Sequence, residues 1–286
     1  MVGFPHSVIW GERPIVESAR DRWGRRLRHV TAHPLAWARY VWIREIRRRE
    51  VLFRQNPRFL DWRPMYRVAR TGLVRVTGRP PAELDGYFGE LAPVAAALRP
   101  EVGERPTAGA LMQAPILYVL VRALRPEWII ETGISSGYSA RLILEALERN
   151  GAGHLDSIGI DVFAMGRRMG DPQPGLEGLQ VGWLVPDRLK SRWALRLGPS
   201  EEQLPLLLRG RGRDLDLFLH DSLHQYPTMT WEYTTAWSAL RPAGLLASHD
   251  VHANRAWPDF LAAHGLRGDE ELDHDLGVVR VPADAK

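Results

Sequence analysis

The chain has 286 residues, 45% hydrophobic and 25% charged, with 38 Lys+Arg against 34 Asp+Glu and a net charge of +4. That is ordinary globular composition, with room for one large α/β domain and an added segment, or for two small domains. There is no cysteine, which excludes disulfides, thiolate nucleophiles and Cys-bound zinc.

The start, "MVGFPHSVIWGERP", lacks the basic-then-apolar layout of a signal peptide. The longest apolar stretch, Ala108 to Val121, is broken by Gln113 and Pro115. It falls short of the roughly 20 apolar residues of a membrane span. The chain therefore reads as cytoplasmic, with no membrane span. Residues 1–105 read as a helical, less regular segment carrying 20 Arg against 11 Asp+Glu, a balance of +9. Within it, "LAWARYVWIREIRRREVLF" (35–53) reads as an amphipathic helix with a solvated Arg face, packed on the rest of the chain or on a second copy, the alternative being a basic helix lying on a membrane or an acidic partner. Residues 106–286 hold 18 Arg+Lys against 23 Asp+Glu, a balance of −5. The split suggests two parts with different surfaces, 1–105 and 106–286.

From residue 106 the pattern is regular. "PEWIIETG" (126–133) reads as a buried strand and "YSARLILEALERNG" (138–151) as a helix, with Ala140, Ile143, Leu144 and Leu147 on one face. "HLDSIGID" (154–161) is a second strand, followed by a Gly/Pro-rich loop, "MGDPQPGLEG", and "DPQPGLEGLQVGWLVP" (171–186) suits a mobile lid. "RWALRLG" (192–198) is a third strand, and "SEEQLPLLLRG" (200–210) a helix with Ser200 as N-cap. "DLDLFLHD" (214–221) and "GLLASHD" (244–250) are the fourth and fifth strands, joined by a helix over 228–240. "LGVVRV" (276–281) closes the series. Strands alternating with helices predict an α/β fold with a parallel, doubly wound sheet.

Such sheets bind ligands outside the carboxyl ends of their strands. Here those ends carry Glu131 to Gly137, Asp161, Gly198-Pro199-Ser200, His220-Asp221 and His249-Asp250. In "ETGISSG", Gly133 permits a tight turn and Gly137 a close approach at a helix start. Ile134-Ser135 stands where a dinucleotide fingerprint needs its second glycine, so a pyrophosphate is disfavoured and an adenosyl ligand without phosphate is not. An acid opening the loop suits a cationic ligand portion, and Asp161 suits the hydroxyls of a ribose.

"IIETGISSGYSARLILEAL" resembles the first motif of class I S-adenosylmethionine-dependent methyltransferases, in the E-x-G-x-x-x-G-Y-S form of O-methyltransferases. "DLDLFLHDSLHQY", "LRPAGLL" and "SHDV" resemble the fourth- and fifth-strand motifs of bacterial small-molecule methyltransferases of this class. The resemblance runs from about Pro106 to Val281. It implies a Rossmann-like sheet of about seven strands and methyl transfer from the sulfonium of S-adenosylmethionine to a small-molecule acceptor, with no nucleic acid as partner and a homo-oligomer left open. It implies donor contacts at Glu131, Gly133, Ser135, Gly137, Tyr138 and Ser139, at Asp161 on the ribose, at Ser200 and Glu201 near the adenine, and at Asp221.

In cation-dependent catechol-type relatives, aspartates matching Asp221 and Asp250 hold a divalent cation, and a basic group three residues after the first takes the acceptor proton. Here that position is His224, and an imidazole suits a base near neutral pH. The resemblance thus implies His224, Asp221 and Asp250 as the catalytic set. The chain departs from the pattern at Val251, where those relatives carry Asn, which leaves His252 as the candidate third ligand. It departs again at His249, where relatives often carry an acid, and at Gly159, where the ribose acid often stands. Two readings of the aspartates remain: Mg²⁺ or a similar divalent cation bound, or a cleft shaped without metal. A catalytically silent adenosyl-binding scaffold and a nicotinamide-dependent oxidoreductase are the alternatives from other classes. The first is disfavoured by Asp221, His224 and Asp250, the second by the glycine loop.

Overall fold

The computed structural model describes residues 60–102, 111–160, 179–266, 270–273 and 275–283, all within one unit, Arg54–Lys286. The expected helix over 35–53 and Asp161 lie outside these residues.

Six apolar runs become the strands they predict, β1 (Trp128–Thr132), β2 (His154–Gly159), β3 (Trp193–Leu197), β4 (Leu215–His220), β5 (Leu240–Ser248) and β7 (Leu276–Arg280), and a seventh that sequence reasoning missed, β6 (Glu270–Asp273), precedes the last. Their order is β3-β2-β1-β4-β5-β7-β6. The first five are parallel, whereas β7 runs antiparallel to both β5 and β6. The expectation of a parallel sheet is corrected there. Asp273 pairs with Leu276 across a tight hairpin, and a hairpin can only join antiparallel strands.

Helices α1 (Arg63–Thr77), α2 (Pro81–Gly89), α3 (Leu91–Val102), α4 (Ala114–Leu124) and α5 (Tyr138–Asn150) precede or follow β1. Helices α6 (Ser200–Leu208), α7 (Tyr226–Ala239) and α8 (Ala256–Ala263) come later in the chain. Alternate strand residues feed two cores, as the two-residue period of a strand requires. Ile129, Leu155, Leu217 and Leu219 join α1–α5 in one. Trp128, Ile130, Ile158 and Phe218 join α6–α8 in the other. Helix α5 exceeds its expected single apolar face, because α4 covers one side and the sheet the other, and only Glu148 and Arg149 are left exposed. Helix α1 lies against the edge strand β6, which shields an otherwise open ladder.

Helix α6 is capped by Pro199, not by Ser200, which is its first residue. Among the described residues no helix is long and apolar enough to cross a membrane. The strand order reverses between β1 and β4, so the crevice falls at their carboxyl ends, between Thr132 and His220.

Candidate active site

The loop after β1 is fixed by close backbone approaches. Gly133 has φ +86°, and a Cβ there would fall 1.9 Å from the Asp221 carbonyl oxygen. Gly137 has φ +81°, and its Cβ would meet Gly182 Cα at 2.8 Å. The second approach reflects a strap over the loop. Gly182 N–H donates to the Ser135 carbonyl and Leu184 N–H to that of Ser136, both at 2.9 Å. Each glycine is thus demanded by the protein's own backbone as well as by any ligand. The described end of the expected lid segment, 182–184, is paired to the glycine loop.

Glu131 is fully buried under this loop. Ser139 Oγ donates to one of its carboxylate oxygens at 2.9 Å and Ser157 Oγ to the other at 2.5 Å. Burial pushes its carboxyl up to about 7, against the pull of those two hydroxyls. Tyr138 is also buried, with its hydroxyl interacting with the Trp62 indole ahead of α1. Ser200 sits at the start of α6, near the boundary of burial, beside the exposed Glu201. Sequence reasoning gathered Glu131, Gly133, Ser135, Gly137 and Ser139 into one loop and helix start, and the structure brings them together there.

The ends of β4 and β5 build the second half. Asp221 N–H donates to the Thr132 carbonyl and His249 N–H to that of His220, both at 2.9 Å, so the two strand ends are locked side by side. Asp250 takes a left-handed φ of 51°, which Asp tolerates better than most residues and which turns the chain out of β5. His249 Nδ1 lies 2.8 Å from Asp221 Oδ1. Burial alone would lower His249, but Asp221 and Asp250 beside it hold the imidazole up to about 9.

His224 stands between the two aspartates. Its Nε2 is 3.6 Å from Asp221 Oδ1 and its Nδ1 3.6 Å from Asp250 Oδ2. Burial pushes this imidazole below its usual value, outweighing the two carboxylates. Its Nε2 is shielded from solvent and makes no hydrogen bond. The rings of His220 and His249 meet that of His224 edge-on, at 5.2 and 5.5 Å between centroids.

The donor chemistry here suits a cation. Asp221, His224 and His249 bring three ligand atoms within 4.8 Å of one another, as do His249, Asp250 and Asp275. Neither group includes His252, which is exposed. Sets with one or two imidazoles fit zinc-like ions better than Mg²⁺, which favours oxygen ligands. His249 and Asp275 therefore enter the cluster where His252 was expected.

Sequence reasoning missed Glu232. It lies fully buried in α7, with its carboxylate against Thr132, His220 and Ser222. The available signal was a lone acid spaced between Met229, Tyr233 and Ala236, all on the apolar face of that helix. His220, which as the neighbour of Asp221 on a strand faces the other side, is buried against this glutamate.

Residues 130–251 match a family model described as a methyltransferase domain. Comparison with curated proteins found no match. Among solved structures, the O-methyltransferase TomG of Streptomyces achromogenes, involved in tomaymycin synthesis and solved with SAM, aligns at 18% identity. The alignment covers 69% of this chain and 95% of that one, with a TM-score of 0.43. An O-methyltransferase from Bacillus cereus in complex with SAH aligns at 15% identity over 74% of this chain and 96% of that one, TM-score 0.45. An SAH-bound methyltransferase from Podospora anserina aligns at 16% over 71% and 88%, TM-score 0.43. These are loose likenesses of fold. The matched stretch runs from within β1 to just past β5 and spans the switch point of a sheet ordered 3-2-1-4-5-7-6, so this part of the chain is similar to a methyltransferase domain.

Proposed function

We propose that the protein methylates a hydroxyl of a small-molecule acceptor, with His224 as the base. The donor sits on Glu131 to Gly137, with Asp161 on its ribose and Ser200 and Glu201 toward its adenine. Residues 106–286 carry this chemistry, and the segment 1–105 contributes to acceptor recognition or to contacts between copies.

The observation that carries the reading is the state of His224. A general base must be unprotonated and must have a free acceptor nitrogen within reach of the proton it takes. Burial favours the neutral ring, and Nε2 is shielded with no hydrogen-bond partner. In the reaction the acceptor oxygen attacks the methyl carbon in line with the sulfonium. The C–S bond breaks, S-adenosylhomocysteine leaves, and the hydroxyl proton passes to His224 Nε2. Asp221 and Asp250 flank the ring and stabilise the imidazolium that forms. They also fix the ring between them, which is the orientation such a step needs.

A divalent cation fits the same end of the cleft. Asp221 and Asp250 would hold it, with His249 as the imidazole donor. When bound it would lower the pKa of the acceptor hydroxyl.

His224→Ala should lower turnover by roughly 10²–10⁴-fold, the usual share of general-base catalysis. Methyl transfer from labelled S-adenosylmethionine to a panel of phenols and sugars measures this, and undiminished turnover in the variant would remove the base assignment. Turnover in EDTA, then with added Mg²⁺, Mn²⁺ or Zn²⁺, tests the cation. The cation reading predicts loss and recovery, whereas full activity in EDTA removes the cation and leaves the base standing.

A further inference from the structure

Side chains from three site-lining segments converge on one buried carboxylate. Glu232 Oε2 accepts a hydrogen bond from Thr132 Oγ1 at 2.5 Å and lies 2.6 Å from His220 Nδ1. Its Oε1 accepts from Ser222 Oγ at 2.7 Å, while the Ser200 hydroxyl donates to Glu201 Oε2 at 3.4 Å. Thr132 ends β1 beside Gly133, and His220 ends β4 beside Asp221. Ser222 opens the loop that carries His224.

A carboxylate has about four lone-pair sites, and here Thr132, His220 and Ser222 meet three of them. Withdrawing one leaves a buried charge under-paired, which is far more costly than losing an exposed bond. Hydrogen bonds are also directional, so they fix the angle of a loop where apolar packing would only hold it near. Met229, Tyr233 and Ala236 already supply the packing of α7. The loop over 221–225 is otherwise tied mainly at its two ends, by Asp221 N–H to Thr132 and Asp221 Oδ1 to His249 Nδ1 at one and by Met229 N–H to the Gln225 carbonyl at the other, with Gln225 N–H to the Leu223 carbonyl and Asn254 Nδ2 to the His224 carbonyl at 3.3 Å between them. His220, held by Glu232, is the wall that the His224 ring meets edge-on.

We infer that Glu232 is a positioning residue, which through Ser222 and His220 holds the 221–224 loop so that His224 stays shielded between Asp221 and Asp250. Its value to the reaction rests on the reading of His224 as base.

The test uses the full chain and the acylating probe diethyl pyrocarbonate, with modification at each histidine followed by peptide mass spectrometry. Ser222→Ala removes the loop's tether while leaving the core intact, and Ser222→Thr restores a hydroxyl. Glu232→Gln weakens the whole set. The His224 modification rate should rise about tenfold in Ser222→Ala and in Glu232→Gln, the size expected for one lost bond to a charged group. It should return toward the wild-type rate in Ser222→Thr. His264, bonded to the Phe260 carbonyl of its own helix, should keep its rate, which separates loop release from general loosening. Equal His224 rates in wild type, Ser222→Ala and Glu232→Gln would overturn the inference. If Glu232→Gln does not fold, the Ser222→Ala and Ser222→Thr pair decides alone. The base assignment fails separately: an active His224→Ala would remove it even where His224 is deprotected as expected.

Discussion

Glu131 and Glu232 are both shut away from solvent beneath the same strand ends, on opposite faces of the sheet, and they ionise in opposite directions. Glu131 lies on the α5 face with two serine hydroxyls, and burial raises its carboxyl to about 7. Glu232 lies on the α7 face, where burial acts the same way. His220 and the Thr132 hydroxyl outweigh it and hold the carboxyl below its usual range. Equal burial with different partners thus makes one glutamate a group poised near neutrality and the other a fixed anion. The partners determine whether a buried acid can act as a hub or must sit as a nearly neutral hydrogen-bonding group.

The largest effect expected from this contrast is on folding. Glu232→Ala strips Thr132, His220 and Ser222 of their acceptor at once and should destabilise the fold by about 3 kcal/mol, on the order of 1 kcal/mol or more for each buried donor left unsatisfied. Denaturant unfolding at pH 8 measures it. At the same pH, Glu131→Gln should be neutral or stabilising, because it removes a carboxylate whose ionised form is penalised. If the two substitutions cost the same, the contrast is broken.

The next effect is on pH dependence. The folded pKa of Glu131, about 7, lies above its ordinary value of 4.5. Its stabilising contribution is therefore fully present below pH 4.5 and is lost as pH rises through 7. The loss amounts to about 3 kcal/mol, because each tenfold change in proton affinity between the folded and unfolded chain is worth about 1.4 kcal/mol. The difference in unfolding free energy between wild type and Glu131→Gln should therefore change by that order across the window. A difference independent of pH would show that Glu131 ionises normally.

A smaller effect sharpens the point. Ser157 Oγ donates to Glu131 and accepts from Trp193 Nε1 at 2.8 Å. Ser157→Ala should cost about 1 kcal/mol for the lost bond and should move the pH-dependent window of Glu131 upward, since one of its two donors is gone. A window that stays in place would mean that burial alone sets it.

Much of the fold is legible in the sequence because parallel strands buried on both faces read as unbroken apolar runs, as in "WIIET" and "LDLFLH". The glycine loop is legible because its turn chemistry is local: Gly133 and Gly137 do adopt positive φ. What the chain hides is convergence over distance. Thr132 and Glu232 are 100 residues apart and meet only once α7 is laid on the sheet. Ser200 reads as a helix cap, but Pro199 takes that place and the serine hydroxyl turns to its neighbour Glu201. His249 likewise pairs with Asp221 across two strands, a contact that register alone decides. The reversal at β7 follows from a short hairpin of low apolar content, which gives no periodic signal.

The central claim places the methyl donor on the glycine loop with its reactive end toward His224. A crystal structure of the full chain with S-adenosylhomocysteine tests it most directly. The account predicts ligand density over Gly133 to Gly137, with the sulfur facing the gap between Asp221 and Asp250 where His224 stands. Density elsewhere, or a sulfur turned away from His224 with no room for an acceptor between them, would contradict it.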